Sequence, residues 1–274
     1  MSPDTDRNPY EWQTVASRLT WSTGNALLRA CQDIKDQVFT LLSKAWKINK
    51  DDLYLENGFV VYRSVPSLRV ALKDVVIYGV RMPDGKLEGG PIMGRGMFVP
   101  PDVTPVDPET GQGKKPVVHF TTGAQAVEVE VDIETGAIKV LKTASAFDVG
   151  RAINPLQVKR QMEGGIVQGL SSALFEELKF DQQGRPLNSS FTDYKIATSL
   201  DAPSEIQSNI IEVLEQDGPF GARGIGEHPM VPMAAAIANA VYDAVGVRIR
   251  RLPLSPEEVL NAIKGKGGEE GEGK

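Results

Sequence analysis

Metal-binding side chains are scarce in this sequence. Among 274 residues there is one cysteine, Cys31, and there are two histidines, His119 and His228. That excludes a disulfide framework, and it excludes an iron–sulfur or zinc site built from this chain's own side chains, which would need a cluster of such ligands. A metal used here has to arrive inside a cofactor. Basic excess is missing too: 30 Lys and Arg stand against 36 Asp and Glu, with no Lys/Arg-rich run. The phosphate-neutralising surface of a nucleic-acid binder is therefore lacking. No segment approaches the roughly 20 apolar residues of a membrane span, and the opening residues show no basic stretch followed by an apolar one. A cytoplasmic protein that binds neither nucleic acid nor membrane is expected.

The chain is long enough to bury one large core or two modest ones. Ala26, Leu27, Ala30, Ile34, Val38, Leu41, Leu42 and Ala45 recur at helical spacing, which predicts a long amphipathic helix over residues 23–46. Asn57-Gly58 predicts a hairpin within 52–63, because Asn-Gly tolerates the positive dihedrals of a tight turn; residues 65–78 read as another helix. Pro and Gly crowd 81–116, so a long irregular connection and a subdomain boundary are expected there. Beyond it, Val127, Val129 and Val131 alternate with Glu128 and Glu130, and 138–147 follows after Glu134-Thr135-Gly136, a hairpin with one buried face. Asn154-Pro155 opens a helix running to about 179. Residues 206–214 read as a strand and 229–245 as a buried helix. Ser255-Pro256-Glu257-Glu258 caps a last helix ending near 264. The Gly/Glu/Lys repeat at 265–274 lacks apolar content and is expected to be disordered. Strands mixed with unevenly spaced helices predict an α+β fold with mixed or antiparallel sheets and long packed helices, not a doubly wound sheet.

Three segments could carry chemistry. Gly221-Ala222-Arg223-Gly224-Ile225-Gly226-Glu227 stands between a predicted strand and the start of the 229–245 helix. Such a loop exposes backbone amides, and the helix dipole adds positive charge, which suits an electron-rich cofactor group; an ordinary glycine loop with a helix-capping Glu fits equally. Glu227 is the ionisable side chain at that junction. Apolar sequence after it would limit its hydration, as suits a general base worth ~10²–10⁴ in rate. Gly164, Gly165 and Gly169 lie inside the 154–179 helix, where each costs ~1 kcal/mol relative to Ala, so something should approach the backbone closely. Gln161 and Gln168 share a face beside them, offering donors and acceptors to a cofactor; packing of the glycines against another helix is the alternative. Ala16-Ser17-Arg18 precedes the first helix, where Thr23 could cap and Ser17 or Arg18 could bind a phosphate, or where the segment is simply a surface cap.

In order along the chain stand Ala16-Ser17-Arg18 with Thr20, Gly24 and Ala26; Gly123-Ala124; Glu128-Val129-Glu130-Val131-Asp132; Asp148-Val149-Gly150; and Ile153-Asn154-Pro155. They are followed by Gln161, Glu163-Gly164-Gly165, Gln168-Gly169-Leu170, Asp193-Tyr194-Lys195, Gly218-Pro219-Phe220-Gly221-Ala222, Gly224 and Gly226-Glu227. This set resembles the second half of the molybdopterin-binding subunit of the xanthine dehydrogenase/aldehyde oxidase family, across nearly the whole chain (1–264). The resemblance implies a molybdenum-dependent oxidoreductase that hydroxylates an aldehyde or an N-heterocycle with water as the oxygen source. It implies Glu227 as the active-site base and Gln161 as a contact to the molybdenum–molybdopterin cofactor, which is a cytosine dinucleotide in some forms. Ala16, Ser17 and Arg18 would line the cofactor's dithiolene and phosphate end, and Gly224, Ile225 and Gly226 would pack beside the metal.

Several features depart from the family's pattern. His228 intervenes where the family's Gly-Glu commonly runs into two prolines, and Lys159-Arg160 stands where a Gly is frequent. The first half of the usual molybdenum subunit is absent. A partner is therefore expected to supply it, as in split-subunit hydroxylases such as nicotinate dehydrogenase, with the 2Fe-2S centres and FAD on further subunits; a non-catalytic remnant or assembly subunit is the alternative.

Overall fold

The computed structural model describes residues 4–271 other than 7, 9 and 12, without side chains beyond 265. The chain divides into two compact units, Trp21–Val118 and the sequence on either side of it.

In the Trp21–Val118 unit, helix α1 (Leu19–Trp46) lays Val38, Phe39 and Leu42 into a core. The helix starts earlier than the periodicity indicates, because Trp21 and Ser22 are themselves buried and Trp21 meets Phe98 edge-on at 4.8 Å. Thr23 lies inside the helix and does not cap it. Strands β1 (Leu53–Glu56) and β2 (Phe59–Tyr62) form the expected hairpin, with Asn57 and Gly58 both at positive φ (49° and 80°), the combination that matches the strands' twist. The expected helix over 65–78 is half strand: β3 (Val65–Ala71) pairs antiparallel with β2, and only then does α2 (Leu72–Tyr78) begin. Pairing Val60 with Val70 overrides local helix propensity, and Pro66 is tolerated because β3 is an edge strand. A two-stranded ribbon, β4 (Val80–Arg81) with β5 (Leu87–Glu88), opens the Pro/Gly-rich connection.

The second unit is a mixed sheet under helices. β6 (Gly123–Val131) and β7 (Ile138–Asp148) form the expected antiparallel hairpin. The chain crosses over through α3 (Pro155–Leu174) to β8 (Glu205–Ile211), which runs parallel to β7 from Lys142↔Glu205 to Asp148↔Ile211. Asn154 caps α3, its side chain accepting the Gln157 N–H at 3.1 Å. The core joins Ile166, Leu170 and Leu174 of α3 to Met233, Ile237 and Val241 of α4 (Met233–Val245), with Val140 and with Val259 of α5 (Pro256–Gly271). What approaches two of the α3 glycines is the start of α4 and the turn before it. A Cβ at Gly169 would lie 2.5 Å from the Met233 Cβ, and one at Gly165 2.9 Å from the Pro229 Cβ, whereas Gly164 faces open space.

Three boundaries differ from expectation. α3 stops at Leu174, not near 179; there the Ala173 carbonyl accepts the Leu254 N–H at 2.7 Å and Phe175 leaves helical dihedrals. α4 begins at Met233, not 229, because Pro229 and Pro232 lack N–H groups and the residue before a proline is pushed out of helical dihedrals. Residues 265–271, expected to be disordered, continue α5, since extending a helix already nucleated and packed needs only one more hydrogen bond per residue. Residues 272–274 of that expected tail lie outside the described residues.

Candidate functional site

The site is built where β7 and β8 end together. Residues 149–151 leave β7 and pair with 221–223: Gly150 bridges Ala222, the Arg223 N–H donates to the Val149 carbonyl at 2.8 Å, and the Arg151 N–H donates to Gly221 at 2.8 Å. Gly150 is at φ +62°, and a Cβ there would sit 2.2 Å from the Gly221 carbonyl oxygen, so the approach requires glycine. The Ile225 side chain is buried with Phe147, Val149 and Met162 of α3. This hydrophobic peg holds the loop against the sheet. Gln161 is exposed on α3 beside Met162, so the same packing places it one residue along the helix from the loop's anchor. Gln168 is exposed as well.

Ser17 closes the site from the other end of the sequence. Ala16 and Ser17 are consecutive left-handed residues, at φ 52° and 54°. For non-glycines this costs about 1–2 kcal/mol each, and strain of that kind clusters at functional positions. Ser17 exchanges hydrogen bonds with Glu227 across 210 residues. The Ser17 N–H donates to Glu227 Oε2 at 2.7 Å, and the Glu227 N–H donates to Ser17 Oγ at 2.8 Å. The Ser17 hydroxyl also lies 3.4 Å from Oε2. Glu227 Oε1 accepts no hydrogen bond from the described residues. Gly224 permits the approach: a Cβ there would lie 1.7 Å from the Ser17 carbonyl oxygen, while one at Gly226 would find nothing nearer than the Ser17 Oγ at 3.5 Å.

Two expectations about this loop do not hold. Because α4 starts at Met233, the loop does not abut a helix N-terminus; Glu227 instead leads into turns in which Met230 N–H donates to the Glu227 carbonyl at 3.1 Å. The glycines, and not a helix dipole, are what let backbone come close. Glu227 is also exposed among the described residues, not enclosed by apolar neighbours.

Sequence reasoning missed the charge cluster beneath the loop. Arg223 reaches Asp148 Oδ2 at 2.7 Å through Nη1 and Glu215 Oε2 at 2.9 Å through Nε, and all three side chains are largely buried. The available signal was Asp148, an acid where the β6–β7 hairpin should carry an apolar end. His119 Nδ1 lies 3.9 Å from Glu215 Oε2, so both histidines of the chain are near this loop. Burial favours the neutral form of each and pulls both below the usual imidazole range. Glu215 opposes this at His119 and Glu227 opposes it at His228. His228 Nδ1 is buried, with no hydrogen-bond partner among the described residues.

A stability prediction follows. The unfolded chain protonates these imidazoles near 6.5 and the folded chain only at lower pH, so in that interval the unfolded state binds more protons. Thermal midpoints are expected to hold above about pH 7, fall as the pH drops through about 6.5, and level off once the folded sites protonate as well. Removing both imidazoles by His119→Asn and His228→Asn should flatten that slope. An unchanged slope in a thermal-melt series between pH 8 and 5 would show that other groups set it.

Among the described residues no group of three His, Cys, Asp or Glu side chains could hold a metal ion, and no helix is long and apolar enough to cross a membrane. Residues 1–203 match the family model described as the molybdopterin cofactor-binding domain. The large subunit of nicotine 6-hydroxylase from Paenarthrobacter nicotinovorans is 31% identical over 262 residues, covering 94% of this chain and 30% of that protein. Quinoline 2-oxidoreductase from Pseudomonas putida 86 superposes with a TM-score of 0.74 at 27% identity, over 94% of this chain and 32% of that one. Carbon-monoxide-reduced Cu,Mo-CO dehydrogenase shares the fold at a TM-score of 0.77 and 24% identity, over 96% of this chain and 31% of that one. The chain belongs to the molybdopterin cofactor-binding domain family, and its fold is α+β. It spans about a third of the length of these relatives.

Proposed function

We propose that this chain forms the second half of the cofactor and substrate site of a molybdenum hydroxylase, with Glu227 as the general base. The observation that carries this reading is the reciprocal pairing of Ser17 with Glu227, which holds one carboxylate oxygen and leaves the other, Oε1, open to take a proton. Support for the cofactor is that Gln161, Gly226 and Ala16 are all exposed and so open to a ligand.

Gln161 would hold the pterin, Ala16, Ser17 and Arg18 its dithiolene and phosphate end, and the backbone of Gly224, Ile225 and Gly226 would pass beside the metal. When bound, molybdenum–molybdopterin, in its cytosine dinucleotide form, supplies a two-electron oxidation. The overall change is R–H plus water to R–OH with release of two protons and two electrons. Glu227 Oε1 receives one of those protons, and Ser17 keeps the carboxylate aimed. 2Fe-2S centres and FAD on partner subunits would accept the electrons, and a first-half molybdopterin-binding subunit would complete the pocket. The substrate is an aldehyde or an N-heterocycle of purine or nicotinate type; relatives named for nicotine and quinoline support the heterocycle.

Anaerobic purification of the chain from its own cell, with molybdenum and co-purifying polypeptides measured, tests this. About one molybdenum per chain is expected, together with a polypeptide carrying the first-half portion and an iron–sulfur protein. A lone, metal-free chain would overturn the reading and favour a non-catalytic remnant.

A further inference from the structure

We infer that Arg223 is a positioning residue for this site: held between Asp148 and Glu215, its guanidinium sets the loop from which Glu227 projects, and thereby the orientation of the carboxylate. The inference rests on the reading of Glu227 as base.

Asp148 is the last residue of β7, and its carboxylate is fully used. Oδ1 accepts the N–H groups of Gly150 at 2.9 Å and Val213 at 3.1 Å, and Oδ2 accepts Arg223 Nη1 at 2.7 Å. One carboxylate thus ties together the end of β7, the turn that follows it, the chain just past β8, and the loop. Glu215 accepts Arg223 Nε at 2.9 Å, and its own N–H donates to the Gly221 carbonyl at 3.0 Å, closing the segment 215–223 on itself. The side chains of Arg223, Asp148 and Glu215 are only 13%, 8% and 15% exposed.

Ion pairs this buried cost desolvation that apolar packing would avoid, so they are a poor device for stability alone. What the planar guanidinium adds is direction, since two of its edges are fixed by two different carboxylates. From Arg223 to Ile225 the chain is closely held. Gly224 is pressed against the Ser17 carbonyl, and Ile225 is buried among Phe147, Val149 and Met162. A rotation at Arg223 is therefore passed to the Ser17–Glu227 pair. Among the described residues His119 lies 3.9 Å from Glu215, and its charge is felt by Glu215 and Arg223 of the cluster and by Asp217.

The test compares Arg223→Met and Arg223→Lys, with Glu215→Gln as the milder variant should Met prevent folding. In the full chain without cofactor, Met is expected to speed amide hydrogen exchange at Ser17 and Glu227 by about tenfold or more while α3 and α4 keep their protection. In the molybdenum-loaded complex it should lower kcat roughly 10²-fold, with KM little changed. Lys, a cation able to restore one ion pair, should recover part of both losses; Glu215→Gln should give smaller changes in the same direction. Unchanged exchange at Ser17 and Glu227 would overturn the proposal, as would exchange that rises equally throughout the unit with normal kcat per molybdenum. The exchange result decides the clamp even if Glu227→Gln turns over normally, an outcome that would remove Glu227 as base without touching this geometry.

Discussion

Glu227→Gln is expected to cut turnover of the assembled, molybdenum-loaded enzyme by about 10²–10⁴-fold, the range of a lost general base, while cofactor content and the melting temperature stay the same. The substitution is close to isosteric. A Gln carbonyl can still accept the Ser17 N–H that Glu227 Oε2 accepts at 2.7 Å, and the Glu227 backbone still donates to Ser17 Oγ. Because the side chain is exposed, stability should change by no more than about 0.5 kcal/mol. What Gln cannot do is receive a proton at the atom that Ser17 leaves open. A loss confined to kcat, with molybdenum per chain unchanged, therefore separates chemistry from cofactor retention. Near-normal turnover in that preparation would remove Glu227 from the mechanism.

The legible parts of the fold were those where one local signal outweighs its competitors. The 3.6-residue recurrence along α1, the Asn57-Gly58 turn and the Val/Glu alternation of β6 each match one backbone geometry. Val65–Ala71 failed because its apolar spacing suits either period, and the decision belongs to its pairing with β2, not to the segment itself. The start of α4 failed for a different reason: its apolar run is continuous through Pro229 and Pro232, and hydrophobicity says nothing about missing N–H donors.

At the site, residue types were legible and their arrangement was not. Gly224 could be read as a close-approach position, but the backbone it admits, that of Ser17, is some 200 residues distant in sequence. Ile225 read as part of a cofactor loop, whereas its side chain is a core peg. Glu215 and Arg223 meet within one closed segment, but Asp148 is some 70 residues away, and the parallel pairing of β7 with β8 brings it to them. His228, notable in sequence for standing where a proline is common, proves to be half-buried next to Glu227, its Nδ1 without a hydrogen-bond partner among the described residues.

Gly224→Ala should be the most damaging single-methyl change in the loop. The added Cβ would fall 1.7 Å from the Ser17 carbonyl oxygen, 2.8 Å from its carbonyl carbon and 3.1 Å from its Cβ. None of these atoms is the free end of a flexible side chain, so backbone must move. The loop cannot retreat, because Ile225 is pegged in the core and Arg223 is held by two carboxylates; Ser17 must give way, and its left-handed backbone has few alternatives. Both hydrogen bonds to Glu227 are then lost together. Overpacking of this kind costs about 1–3 kcal/mol of stability, and a base displaced by about 1 Å can cost 10²-fold in rate. Gly226→Ala is the matched control for stability, since its Cβ would meet nothing closer than the Ser17 Oγ at 3.5 Å. A melt series should therefore show a clear drop for Gly224→Ala and little change for Gly226→Ala. Equal melting temperatures for the two, with the Ser17 amide still protected from exchange in Gly224→Ala, would mean that the 16–17 segment does not sit on this loop in solution.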